Sequence, residues 1–166
     1  MSTAIILRGN SGSGKSTVAK QLQRSLGRGT LMIPQDVIRR ELLWVNDRPG
    51  NPAISLMREM AKWGAQSCDY VIVEGILDSE LYRPLFETIA REFDCVHAYY
   101  YDIPFEETLR RHATKSNRAD FGENEMRRWW KEKDFIGIIP EKIIDQNASI
   151  DAVVEMILND LGVQTP

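Results

Sequence analysis

Residues Gly9 to Ser16 read Gly-Asn-Ser-Gly-Ser-Gly-Lys-Ser, a full match to the phosphate-binding pattern G-x-x-x-x-G-K-[ST]. The residue types suit the grip of a polyphosphate. Gly9, Gly12 and Gly14 carry no Cβ, so the backbone can turn with its N–H groups inward and approach a phosphate closely. Lys15 is suited to the β- and γ-phosphates, and the Ser16 hydroxyl to a Mg²⁺ ion. Asn10, Ser11, Ser13 and Thr17 line the same turn and are expected nucleotide contacts. The flanks agree with this reading. Thr3-Ala4-Ile5-Ile6-Leu7 reads as a short buried strand, and Thr17 to Leu22 as the opening of a helix, whose unpaired N–H groups and positive dipole end favour an anion.

A second cluster follows another apolar run. Gln35-Asp36-Val37-Ile38-Arg39 comes just past the predicted second strand, and ligands of open α/β sheets bind outside the carboxyl ends of strands. Asp36 there is placed to accept the proton of an attacking hydroxyl, with Arg39 one helical turn on, although an acidic residue also suits a helix start. Glu74 ends the run Tyr70-Val71-Ile72-Val73, either near a metal and its waters or simply closing the strand. Arg111, Lys115 and Arg118 lie in a basic polar stretch that can close over phosphates. His112 is expected nearer the nucleotide than His97, which reads as a core histidine. Trp129-Trp130 presents adjacent indoles to different faces of a helix, either packing that helix on the body or walling an aromatic or sugar ligand.

The elements that must hold these residues alternate strand and helix, which predicts an α/β fold with a mostly parallel sheet. The expected elements are a strand at 4–7, a helix at 15–26, a strand at 30–33, and a helix from near Asp36. Asn46 to Pro52 reads as a loop, followed by a helix to about Cys68 and a strand at 70–73. A helix at 79–92, a strand at 96–101 and a helix opened by Pro104 come next. Residues 113–124 read as a loop or lid, 125–133 as a helix, and Ile143-Ile144 as a last strand. Ser149 is the expected N-cap of a final helix with a core stripe of Ile150, Val153, Val154, Ile157, Leu158 and Leu161.

The chain has 166 residues, 43% hydrophobic and 27% charged, which predicts one domain spanning 1–166 with an ordinary core. Its net charge of −3 weighs against a nucleic-acid coat or a membrane-surface protein. Cys68 and Cys95 form no C-x-x-C, no signal-like apolar core is present, and no His/Cys cluster suits a transition metal. The expectation is a cytoplasmic protein without a membrane span.

Taken in order, GNSGSGKS, the D-x-x-R of QDVIRRE, VIVEGIL and YDIPFEETLRRH resemble the adenylate-kinase-like small P-loop kinases. The resemblance runs from about Thr3 to Asp160. It is greatest to the group that holds polynucleotide 5′-kinase, chloramphenicol phosphotransferase and zeta-toxin kinases. It implies a three-layer α/β/α fold with a five-stranded parallel sheet of order 2-3-1-4-5 and a small lid. It also implies ATP with Mg²⁺ as donor, Asp36 as general base, Arg39 as an acceptor-side arginine, and Arg111 with Lys115 or Arg118 over the phosphates. The expected activity is transfer of the γ-phosphoryl group to a hydroxyl of a small molecule of nucleoside, sugar or antibiotic type. A polynucleotide 5′-hydroxyl kinase and a nucleotide-binding regulator without an acceptor are the alternatives. The acceptor and the oligomeric state are not legible.

Overall fold

The computed structural model describes residues 1–114 and 121–163. Its centre is β1 (Thr3–Gly9), in which Ala4, Ile5, Ile6 and Leu7 have no solvent-accessible surface. A strand covered on both faces reads as an unbroken apolar run. β1 pairs in parallel with β3 (Tyr70–Gly75) on one side and β4 (Cys95–Tyr101) on the other. β2 (Leu31–Pro34) lies outside β3 and β5 (Glu141–Ile144) outside β4, giving a five-stranded parallel sheet of order β2-β3-β1-β4-β5. That is the sheet the resemblance implied.

Side-chain alternation along the strands divides the core in two. Ile5, Leu7 and Ile72 face α1 (Lys15–Leu26) and α7 (Ile150–Asp160) through Val18, Leu22, Val154 and Ile157. Ala4, Ile6, Val71 and Val73 face α3 (Pro52–Ser67) and α4 (Arg83–Glu92) through Met57, Ala61, Phe86 and Ile89. Close packing decides one glycine: a Cβ on Gly64 of α3 would stand 2.7 Å from Val71 Cγ2 and 2.8 Å from Leu31 Cδ2. α3 starts where Asn51 caps it, its Oδ1 accepting from the Ala53 N–H at 2.9 Å, with Pro52 in the first turn. No helix among the described residues is long and apolar enough to cross a membrane.

Several boundaries differ from the sequence reading for local reasons. β2 leads into a single turn, α2 (Gln35–Val37), that continues as a π-helix over Ile38–Leu42, closed by the Leu43 N–H on the Ile38 carbonyl at 3.0 Å. α4 starts at Arg83 rather than Ser79, because the Asp78 carboxylate accepts from the Glu80 and Leu81 N–H groups and turns the chain first. After α5 (Phe105–Ala113), α6 spans Glu123–Trp129 instead of 125–133. It begins where Glu125 Oε2 accepts from the Gly122 N–H, and it ends before Lys131, whose backbone is tied to Asn10. Ser149 caps α7 through the Ala152 N–H, but Ile150 of the predicted stripe stays 41% exposed on the first turn. His97 is half-buried on β4, with Nε2 3.2 Å from Cys95 Sγ.

The least expected core residue is Arg8, whose side chain is completely buried on β1. Its Nε and Nη2 donate to the Leu77 carbonyl at 3.2 and 2.7 Å. Nη2 also meets Asp134 Oδ2 at 2.8 Å, and Nη1 meets Glu141 Oε1 at 3.1 Å and the Asp134 carbonyl. The guanidinium lies 5.5 and 5.3 Å from the ring centres of Phe86 and Tyr100. Arg8→Leu leaves two largely buried carboxylates without their cation, so it is expected to lower unfolding stability by about 3–5 kcal/mol. Urea unfolding of the two proteins measures this, and a loss near zero would mean that the carboxylates find other partners.

Candidate active site

The phosphate loop leaves β1 and folds against two backbones. Gly9 has φ +140°, and a Cβ there would stand 2.9 Å from the Tyr101 carbonyl oxygen. Gly12 has φ +82°, and its Cβ would stand 2.6 Å from the Thr108 carbonyl oxygen of α5. Both positions combine a left-handed backbone with a contact too close for any side chain. Gly14 caps α1 in the left-handed region and offers no side chain, so the first-turn N–H groups point to the loop. Lys15 folds back over the turn, its Nζ donating to the Asn10 carbonyl at 2.8 Å and the Ser13 hydroxyl at 3.0 Å. Ser11 is half-buried and Thr17 exposed. Asn10 turns its side chain away to clamp Lys131 reciprocally: Nδ2 donates to the Lys131 carbonyl at 2.7 Å and Oδ1 accepts from its N–H at 3.0 Å.

Glu74, 5% exposed at the end of β3, brings its carboxylate to the base of α1. The Ser16 hydroxyl donates to its two oxygens at 3.1 and 3.2 Å. A hydroxyl and a carboxylate converging beside a phosphate loop form the hard oxygen donor set that suits Mg²⁺. On the other side of the loop, Arg111 of α5 donates through Nη1 to the Ser13 carbonyl at 2.9 Å and through Nη2 to the Gln146 carbonyl at 2.9 Å. Its Nε meets Glu107 Oε1 at 2.7 Å. Glu107 was not singled out in the sequence, although its i, i+4 spacing to Arg111 is the signal that shows it. Lys115 and Arg118 lie outside the described residues. His112 is buried; its Nε2 lies 2.8 Å from the Phe121 carbonyl and its ring stacks on Phe121 at 4.5 Å.

Asp36 stands past the end of β2 with its side chain 58% exposed. Its Oδ1 lies 3.4 Å from Arg39 Nη2 and 3.7 Å from Arg40 Nε. Arg39 and Arg40 line a cavity of about 990 Å³ together with Trp44, Asp47, Phe121 and Trp129. Ile76, Asp78, Trp129 and Lys131 line both this cavity and a small cleft against Gly9 and Asn10, so the cavity adjoins the phosphate loop. Residues 44–47, past the π-helical turn, line it as well. Asp47 is fixed by Tyr82, whose hydroxyl donates at 2.7 Å, by Gln35 at 2.9 Å and by Asn51 at 3.1 Å. Burial raises the Asp47 carboxyl above its ordinary value and likewise pushes the Tyr82 phenol up. No sequence spacing announces the Asp47–Tyr82 contact. The tryptophan pair divides as its geometry requires: Trp129 lines the cavity, while Trp130 packs edge-on against Phe105 at 5.1 Å.

Hydrogen bonds from Arg110 and Arg111 pull the Glu107 carboxyl down from 4.5 to about 2. A depressed carboxylate contributes stability above its unfolded value and loses it as pH falls through the folded one. The stability gap between wild type and Glu107→Gln is therefore expected to be full above pH 4.5 and to close toward about pH 2. Denaturation midpoints of both proteins across this range measure it. A gap independent of pH would mean that Glu107 acts by packing rather than by charge.

Residues 5–133 match the family model described as an AAA domain, AAA_33. No curated protein matches the chain. Among solved structures it is similar to a tunicamycin resistance protein from Deinococcus radiodurans, at 20% identity over 100% of both chains with a TM-score of 0.67. It is also similar to a gluconokinase from Sinorhizobium meliloti, at 18% identity over 96% of this chain and 91% of that one, TM-score 0.66. An APS kinase from Mycobacterium tuberculosis, solved with AMPPNP and APS, shares 20% identity over 97% and 98% of the two chains, TM-score 0.65. At these identities the likeness establishes the fold. A match over residues 5–133, a complete phosphate loop after the central strand and the 2-3-1-4-5 sheet show that the chain belongs to the AAA_33 family, with the P-loop nucleoside-triphosphatase fold.

Proposed function

We propose that the chain is an ATP-dependent kinase that transfers the γ-phosphoryl group to a hydroxyl of a small-molecule acceptor. The observation that carries this reading is the cavity of about 990 Å³ that adjoins the phosphate loop and has Arg39, ion-paired to Asp36, in its wall. A regulator that only senses nucleotide needs no such second chamber. A polynucleotide strand asks for a basic groove along its phosphates, which the net charge of −3 weighs against. The gluconokinase and the APS kinase of similar fold lend the reading further support.

In this scheme the inward N–H groups of the loop and Lys15 hold the β- and γ-phosphates, and Arg111 braces the loop through Ser13. Mg²⁺, held by Ser16 with Glu74 behind it, supplies neutralisation of phosphate charge when bound. Asp36 orients the acceptor hydroxyl and takes its proton as the oxygen bonds to the γ-phosphorus. The bond from that phosphorus to the bridging oxygen breaks, and ADP leaves with the electron pair. Arg39 sets the Asp36 carboxylate and lends positive charge on the acceptor side. Lys115 and Arg118 are assigned to close over the phosphates.

Lys15→Ala is expected to abolish turnover. Asp36→Asn is expected to keep ATP affinity and lower transfer by about 10²–10⁴-fold. Nucleotide titration, together with ADP release across a panel of nucleosides, sugars and antibiotics, measures both. Full transfer by Asp36→Asn would remove the base assignment, and tight ATP binding with no acceptor-stimulated ADP release in wild type would favour the regulator.

A further inference from the structure

The cavity beside the phosphate loop has a chemical character that its proposed role as an acceptor site does not by itself require. Its charges largely answer one another. Arg39 and Arg40 are paired to Asp36, and Lys131 is paired to Asp78. Asp47 is met by Tyr82, Asn51 and Gln35. Arg128, exposed in the same wall, makes no ion pair or side-chain hydrogen bond among the described residues, so the cavity keeps one cation on offer.

Aromatic faces are on offer beside it. Trp44 is 91% exposed, and its backbone sits at φ +51°, a conformation that bulky residues rarely adopt. The chain on both sides of it is pinned, by the Leu43 N–H on the Ile38 carbonyl at 3.0 Å and the Val45 N–H on the Arg39 carbonyl at 2.8 Å. Arg39 Nη1 also donates to the Val45 carbonyl at 3.2 Å. The indole is thus presented by a hydrogen-bonded turn, at the cost of an exposed apolar face and a strained backbone. In the same cavity Phe121 and Trp129 meet edge to face at 5.1 Å. The Arg40 guanidinium lies 5.3 and 5.8 Å from their ring centres, and His112 backs Phe121. Aromatic faces with a guanidinium among them recognise a planar π-system by stacking and cation–π contact.

We propose that the acceptor carries a planar aromatic ring beside its hydroxyl, and that Trp44 with the Arg40–Phe121–Trp129 cluster binds that ring and so selects the substrate. The proposal rests on the reading of this cavity as the acceptor site. Trp44 lines the same cavity as Arg39, the ion-pair partner of Asp36, so a ring held there shares the chamber with the residue that sets the base. Trp44 and Trp129 are specificity-determining residues here and take no part in bond making.

Two matched probe pairs test this: 1-phenylethane-1,2-diol against 1-cyclohexylethane-1,2-diol, and adenosine against ribose. Affinity is read by calorimetry in the presence of Mg²⁺ and AMPPNP, and chemistry separately by ADP release from ATP. Burial of apolar area alone would let the cyclohexyl diol bind at least as well as the phenyl diol. Stacking predicts that the aromatic member of each pair binds about tenfold tighter. That gap should collapse in Trp44→Leu and in Trp129→Leu while AMPPNP affinity holds. Equal affinity within both pairs, preference for the saturated member, or no binding of either aromatic probe at millimolar concentration would overturn the proposal. Aromatic preference without ADP release would leave the ring site standing and count against the kinase reading. ADP release with saturated acceptors alone would do the reverse.

Discussion

A guanidinium shut off from water sits at the end of the central strand, one residue before the phosphate loop, and much of the site's framework is arranged around it. Burying a charge is expensive unless ions and hydrogen-bond acceptors surround it. Arg8 finds them in Asp134, Glu141 and the Leu77 carbonyl, which come from β5, the segment leading into it and the loop after β3. Satisfying one side chain therefore fixes where three remote pieces of chain meet the base of the loop. Asp134 also accepts from the Ser79 N–H at 2.9 Å, and Glu141 from the Ile136 N–H at 2.7 Å, so each partner is held in turn. The segment so anchored runs directly after Lys131, whose backbone Asn10 clamps from the phosphate loop.

The loop itself trades side chains for closeness. Gly9 presses on β4 and Gly12 on α5 at distances that admit no Cβ, and the positive φ at each would strain any other residue. This packing fixes the path of the loop backbone without a ligand having to organise it. The same economy holds around it. Lys15 is held by Asn10 and Ser13, Ser16 by Glu74 of β3, and Arg111 by Glu107 of its own helix, so each proposed cation and metal ligand has a partner that positions it.

On the acceptor side the balance is reversed. Arg39, Arg40 and Lys131 are paired to Asp36 and Asp78 there, whereas a tryptophan is held exposed by a pinned and strained turn. Natural chains bear such costs chiefly at sites that bind. The π-helical stretch after β2 belongs to the same construction. By adding a residue to its turn it carries the chain past Arg39 and Arg40 to Trp44, and π-helical turns of this kind are frequent at functional sites.

Local patterns determined the sheet strands, the phosphate loop, α1 to the residue and the cap of α7, because each depends on residues close together in sequence: apolar runs, glycines at fixed offsets, and Ser before a helix. They also singled out Asp36, Arg39, Glu74 and Arg111 as residues at the carboxyl ends of elements. They missed the early start of α6 and its early stop, because a cap from Glu125 and a clamp from Asn10 outweighed helix propensity there. They did not show that His112 stacks on Phe121. Only the tertiary structure decided the burial of Arg8 with Asp134 and Glu141, the fixing of Asp47 by Tyr82, and which of two adjacent tryptophans faces the cavity. The physical reason is range. A hydrogen bond between side chains 35 or 126 residues apart leaves no periodicity in the chain, since its geometry exists only once the sheet has brought the strand ends together.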